Sequence, residues 1–250
     1  MGYRLLSMVL WLFALAGCAP ALRPDPTAAA ESPSPAATPT AESDGLRIRK
    51  YPGNYAAFKL TMPSGVTIIT DPYGMDETIE ADIVTVSHPH EDHADLSRIL
   101  PGFELIDAPG TYTVRGITIT GVAGRHNKGD PTTTNTIFVF DTGGLRLAHF
   151  ASQGELPTEE MFAALGRADI LILQIYGAEA GKLSVEEAGT IARRLQSKIV
   201  IPAHSNPDLS AALAAELNAS FERVAGGALV VRKDDLGFQT TPKVAVMDVP

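Results

Sequence analysis

The chain is short of cysteine, short of basic charge, and has no apolar run long enough to cross a bilayer comfortably. Of its 250 residues only Cys18 is a cysteine, so everything after it lacks a thiol and can form no disulfide. Lys and Arg number 20 against 29 Asp and Glu, a formal net charge of -9 at pH 7. A protein that tracks a phosphate backbone needs a basic face, so this balance argues against a nucleic-acid partner. The opening apolar stretch, residues 5–16, is too short for a transmembrane helix. There is no glycine-rich phosphate loop and no dinucleotide fingerprint. Histidine is also scarce, at six residues, which makes its placement informative.

Three of the six fall in His88-Pro89-His90-Glu91-Asp92-His93, directly after the apolar Ile83-Val84-Thr85-Val86. Imidazoles and carboxylates are the usual ligands of a catalytic divalent metal, and packing gives no reason to crowd four of them onto one strand exit. His126 follows the alternating residues 117–122 and His204 follows residues 198–203. Each therefore lies just past an expected strand end, where the strands of a layered α/β core converge on one rim. His149, within Leu145-Arg146-Leu147-Ala148-His149-Phe150, reads equally well as a buried strand histidine with its nitrogens hydrogen-bonded.

From about Gly45 onward, these motifs resemble the metallo-β-lactamase fold superfamily, and within it the branch similar to the L-ascorbate-phosphate lactonases and their metal-dependent hydrolase relatives. The second motif is Gly124-Arg125-His126, the third Leu147-Ala148-His149-Phe150-Ala151-Ser152-Gln153-Gly154, and the last Ile201-Pro202-Ala203-His204. The resemblance implies that His88, His90 and His126 hold one metal and that Asp92, His93 and His204 hold a second. Its third motif normally reads His-x-Gly-Asp, with the Asp bridging two metals; here Ser152 stands at that bridging position. Loss even of an outer partner costs roughly 10–100-fold in metal affinity, so the second site is expected to be the weaker. Three imidazoles and a water suffice for Zn²⁺, the expected ion, with Mn²⁺ or another divalent ion as the alternative and one or two ions bound.

Arg4 and the apolar residues 5–16 read as a secretory leader, and Leu15-Ala16-Gly17-Cys18 resembles a bacterial lipobox. The resemblance implies removal of residues 1–17, lipidation of Cys18 and attachment to an extracytoplasmic membrane face of the cell envelope. Two or more acyl chains give stable anchoring. After Cys18, residues up to 44 are rich in Pro, Ala, Ser and Thr. Such a segment cannot bury a core and acts as a spacer, reaching roughly 80 Å at about 3.1 Å per residue.

Residues 45–250 form one expected domain of the α/β class, a four-layer αβ/βα sandwich. Strands are expected at 55–62 and 66–70 around Pro63-Ser64-Gly65, at 136–140 and 145–150 around Asp141-Thr142-Gly143-Gly144, and at 169–175, 198–203 and 228–231. Helices are expected at 158–165, 184–195 and 209–217, with Ser184 and Glu187 forming a capping box. Asp71, before Pro72, reads as a turn former or as an outer partner of the metal loop.

The expected chemistry is hydrolysis of a lactone, ester or phosphoester by a metal-activated water, with Asp92 as the catalytic carboxylate that orients this water or takes its proton. Arg125 and Lys128 are candidate contacts to an anionic small-molecule substrate, and Tyr176 a candidate oxyanion donor. For each, a solvated surface residue is the simpler account. Glu155 is the carboxylate available to replace the missing bridge. The alternative to an enzyme is a surface lipoprotein that keeps the site for metal or ligand binding. Nothing in the sequence indicates an oligomeric state.

Overall fold

A computed structural model of the chain describes residues 45–52, 56–142, 144–176 and 181–249. The leader, Cys18 and the spacer, together with Tyr55 and Gly143 of the two expected hairpins, lie outside the described residues.

Alternation of apolar and polar side chains builds the first strands. β1 (Leu46–Lys50) turns Leu46, Ile48 and Lys50 inward and Arg47 and Arg49 outward, the two-residue period of a half-buried strand. It is followed by β2 (Phe58–Thr61), β3 (Thr67–Thr70), β4 (Ile83–Thr85) and β5 (Glu104–Ile106). β6 (Gly110–Val114), β7 (Ile117–Gly124), β8 (Asn135–Asp141) and β9 (Arg146–His149) then form an antiparallel run. The second half alternates α1 (Glu159–Leu165), β10 (Ile170–Leu173), α2 (Val185–Arg194), β11 (Ile199–Pro202) and α3 (Pro207–Glu216). β12 (Ser220–Val224), β13 (Ala228–Val231), α4 (Lys233–Gly237) and β14 (Lys243–Met247) complete it.

Two sheets result. One has the order β13-β1-β2-β3-β4-β5 and the other β12-β14-β11-β10-β9-β8-β7-β6. The end strands of the two sheets are neighbours in the chain: residues 107–109 join β5 to β6, and residues 225–227 join β12 to β13.

The apolar interior has three parts. Between the sheets, Ile48, Leu60 and Ile68 pack with Phe138, Phe140, Ile170 and Ile201. Leu171, Leu173 and Val200 point the other way, toward Phe162, Leu165, Ile191, Leu195 and Leu213 of the helical side. This is why β10 and β11 are continuous apolar runs. The outer face of the six-stranded sheet, Ile69, Val84 and Val86, is covered by Ile79, Leu96 and Ile99. These come from loops and from the 3-10 turn Leu96–Arg98. The expected sandwich is present, and its outer layers are unequal: α1, α2 and α3 cover the larger sheet, while short turns cover the smaller.

Helix ends follow local chemistry. Thr158 accepts a hydrogen bond from the Met161 N–H at the start of α1. α3 begins two residues before its expected start, because Asn206 caps it and Pro207 occupies its first turn. At α2 the Ser184 side chain accepts from the Glu187 N–H while the Glu187 carboxylate accepts from the Ser184 N–H. Ser184→Ala is expected to cost about 1 kcal/mol of stability, measurable by urea unfolding; no change would mean that tertiary packing alone sets this helix start.

Candidate metal centre

Strand direction delivers the motif residues to one rim. β9, β10 and β11 are parallel neighbours, and β7 lies two antiparallel steps from β9. All four therefore end on the same side of the larger sheet, followed by His126, Ser152, Gln174 and His204. β4 of the smaller sheet brings in residues 88–93, and the Thr136 N–H of β8 donates to the Ser87 carbonyl at 2.8 Å, tying this loop to the opposite sheet.

Beneath the loop lies Asp71, fully buried and in a left-handed backbone conformation with φ of 41°. Its carboxylate accepts from the Ser87 N–H at 2.7 Å, from the Ser87 hydroxyl at 2.7 Å and from His93 Nδ1 at 2.8 Å. Burial alone would raise its pKa. The hydrogen bond and charge of His93 outweigh this and hold it below the ordinary carboxylate value. Because the Ser87 proton goes to Asp71, its oxygen is left to accept from His88 Nδ1, 2.9 Å away. His88 thus carries its proton on Nδ1 and offers a lone pair at Nε2. That Nε2 is buried and has no hydrogen-bond partner among the described residues.

One ring nitrogen from each of His88, His90 and His126 lies within 4.8 Å of the other two. His126 Nδ1 is 3.0 Å from the Asn127 side-chain oxygen, which again leaves Nε2 as the lone pair. Burial, with help from neighbouring His93, pushes His88 down to about 3. Burial and then the charge of Lys182 push His126 down to about 4. Both rings are therefore neutral at physiological pH, as metal ligands must be. The orphaned His88 nitrogen and the convergent neutral donors fit a divalent ion.

The second expected group is only partly assembled. His93 Nε2 lies 3.1 Å from Ser152 Oγ and 3.8 Å from Asp92 Oδ2, so Ser152 does face the centre. His204 instead stacks on Tyr176, with ring centroids 4.6 Å apart, and joins no three-residue ligand group among the described residues. Ser152 also reaches the Gln174 side-chain oxygen at 3.1 Å, which accepts the Tyr176 hydroxyl at 2.6 Å. The proton with which Tyr176 was expected to bind an oxyanion is thus taken up by Gln174. Arg125 pairs with Glu155 at 3.3 Å and Lys128 with Glu187. Neither cation stands ready for an anion, and Glu155 is held at Arg125 and the Gly129 N–H rather than at a bridging position.

His149 is the buried strand histidine, but without the expected satisfied nitrogens. Among the described residues neither has a partner of ordinary hydrogen-bond geometry, although the Ala56 backbone acts on the ring. Burial drives its pKa down. Sequence reading missed Lys182, Gln174, Gln153 and Asn135. Lys182 Nζ is 3.2 and 3.3 Å from the two ring nitrogens of His126 and 3.2 Å from its carbonyl oxygen. Gln153 accepts from the Arg125 N–H and from Asn135, joining the second and third motifs. Gly154 completes that junction: a Cβ there would overlap the His126 carbonyl and come within 2.9 Å of Asn127 Cα.

Residues 51–204 match the family described as the β-lactamase superfamily domain. Among solved structures, the chain is 30% identical to a proposed Zn-dependent hydrolase of the metallo-β-lactamase superfamily from Thermotoga maritima, covering 82% of this chain and 100% of that one with a TM-score of 0.67. A proposed metal-dependent hydrolase from Parabacteroides distasonis is 19% identical, covers 78% and 90%, and has a TM-score of 0.58. A metallo hydrolase from Ignicoccus hospitalis is 18% identical, covers 81% and 95%, and has a TM-score of 0.56. At such identities the last two show a shared fold. No curated protein matches the chain at a significant level.

The lowered values of His88 and His126 set a pH dependence. The unfolded chain protonates both near pH 6.5, whereas the folded chain resists until about 3 and 4. The unfolded state therefore binds more protons across that window, and stability falls with falling pH. Asp71 has the same sign: its depressed pKa contributes stability above the ordinary carboxylate range, lost as pH falls through the folded value. The chelator-treated chain should show a flat thermal midpoint above about pH 7 and a steadily lower one below about 6.5. A midpoint unchanged at about pH 5 would contradict the neutral, buried state of these rings.

Proposed function

Because the chain belongs to the metallo-β-lactamase superfamily, we propose that it is a metal-dependent hydrolase acting on a small lactone, ester or phosphoester, the chemistry of the lactonase-like branch its motifs resemble. The buried Nε2 of His88, without a hydrogen-bond partner among the described residues and beside His90 and His126, carries this reading. These three residues would hold one divalent ion, Zn²⁺ or Mn²⁺. When bound, the ion supplies Lewis acidity, which sharpens the acidity of water and polarises the acceptor oxygen.

The chain's own groups do the rest. Asp71, through Ser87, holds His88 in the tautomer that presents Nε2. Asp92, with its side chain 45% exposed, takes the proton released from the attacking water. Lys182 brings a positive charge beside His126 and supports a preference for substrates that carry negative charge near the scissile bond. Ser152 in place of a carboxylate favours one ion over two. It also keeps a second reading open, a binding lipoprotein without catalysis. In either case we propose that Cys18 carries the lipid that holds the chain on the extracytoplasmic face of a bacterial envelope. Among the described residues no helix is long and apolar enough to cross a membrane.

The purified chain is expected to hold close to one tightly bound divalent ion, and His88→Ala to release it, as read by elemental analysis after dialysis. Wild-type protein that stays metal-free after incubation with Zn²⁺ and with Mn²⁺ would end both readings. Ser152→Asp should raise occupancy toward two ions and tighten the second by about 10-fold or more. Equal stoichiometry and affinity in the two proteins would show that the missing carboxylate does not limit the second site.

A further inference from the structure

β1 ends on a charged residue turned into the interior. Lys50 takes the third inward position of the strand, after Leu46 and Ile48, and is 7% exposed. Its Nζ donates to the Ala203 carbonyl at 3.1 Å. An ammonium has three donors, and Lys50 makes no other hydrogen bond or ion pair among the described residues. Burial draws its pKa below the ordinary lysine value, and the charge of Asp248 opposes this without cancelling it. That carboxylate is itself held by Arg223 through two hydrogen bonds, of 2.9 and 2.8 Å. A buried charge is costly unless it is paired, and the partner of Lys50 within the chain is a neutral carbonyl.

Lys50 lines a cavity of about 390 Å³ past the ends of the parallel neighbours β11 and β14, a size that suits a small molecule. None of His88, His90 and His126 lines it. Ser205 and Ser210 form part of its polar wall, but both hydroxyls donate to the Asn206 carbonyl, each at 3.0 Å. The Asn206 side-chain oxygen accepts from the Leu209 N–H. Lys50 is therefore the cation of this wall with donors to spare. The opposite character comes from Pro202, Met247 and Val249, which give the same cavity an apolar wall.

We propose that this cavity binds a small organic monocarboxylate, with the carboxylate on Lys50 Nζ and the apolar body of the ligand against Pro202, Met247 and Val249. Charge decides the class. Arg223 and Asp248 also line the cavity and neutralise each other, which leaves Lys50 as the one unbalanced charge of the lining. A single negative charge matches it, whereas a phosphate dianion would bring an uncompensated charge against apolar walls. The carboxylate would complete the pairing that Asp248, held by Arg223, supplies only at a distance. The site is separate from the metal centre and requires no ion.

The test is titration calorimetry of the full chain with benzoate as the probe, in chelator and then with Zn²⁺. Benzoate should bind in both conditions with a Kd of about 10 mM or below. Benzamide, of the same shape but uncharged, should bind at least about 10-fold more weakly. Lys50→Met keeps an unbranched side chain and removes the charge; it should weaken benzoate at least about 10-fold, the scale of a lost charge-assisted hydrogen bond. Exchange of a buried charge for an apolar side chain is often neutral for stability. Should the variant nevertheless fail to fold, Val249→Asp decides: Val249 is only half-buried, and a negative charge on the lining should weaken benzoate by about 10-fold. No binding in this range, binding seen only with Zn²⁺, or equal affinity for benzamide would overturn the site, as would unchanged affinity in either folded variant. Inorganic phosphate bound more tightly than benzoate would overturn the monocarboxylate assignment.

Discussion

One buried carboxylate organises the rim. Asp71 receives hydrogen bonds from the Ser87 backbone, the Ser87 hydroxyl and His93, so the proton positions of His93 and His88 both follow from it. Neutral imidazole can carry its proton on either nitrogen, and a neighbour that fixes one decides what the other can do. Here the Nδ1 protons of His93 and His88 face inward, and the lone pair of His88 faces the centre. Removing Asp71 would leave several buried donors without an acceptor, each at a cost of about 1–3 kcal/mol. Its role in folding and its role in chemistry are therefore the same set of bonds.

The centre divides around that carboxylate. Through Ser87 it serves His88, which neighbours His90 and His126. Directly, it serves His93, which turns toward Ser152. The rings of His88 and His93 are only 4.1 Å apart, so the two branches share one small volume. Gln174 and Tyr176 close the Ser152 side, and Lys182 covers His126.

Much of this was legible in the chain because it is written in short strings. The His88 to His93 run, the apolar runs of β10 and β11 and the Ser184 capping box each carry their signal within a few residues. β1 was not recognised, because only Leu46 and Ile48 of its five residues are apolar and its third inward position is Lys50. β12 was missed because four of its five residues are exposed at a sheet edge. Asp71 was placed between a turn and a support for the metal loop, and it is both. The partners of Arg125 and Lys128 were out of reach for a different reason: Glu155 and Glu187 are distant in sequence and meet them only after folding. Gln174 and Lys182 lie next to no motif, and nothing local announces them.

The histidine trio spans two sheets, since His88 and His90 follow β4 while His126 follows β7. Two stacked leaves could in principle slide past each other and spread those nitrogens. Here the chain crosses from sheet to sheet at both margins, through residues 107–109 on one side and 225–227 on the other. The sandwich is mechanically a flattened tube sewn along both seams, and shear between its walls must stretch a three-residue stitch. The seams, which carry no ligand, thus share the setting of the ligand spacing with the Thr136–Ser87 hydrogen bond and the core between the sheets, and a lengthened seam far from the histidines would be felt as a looser grip at the mouth.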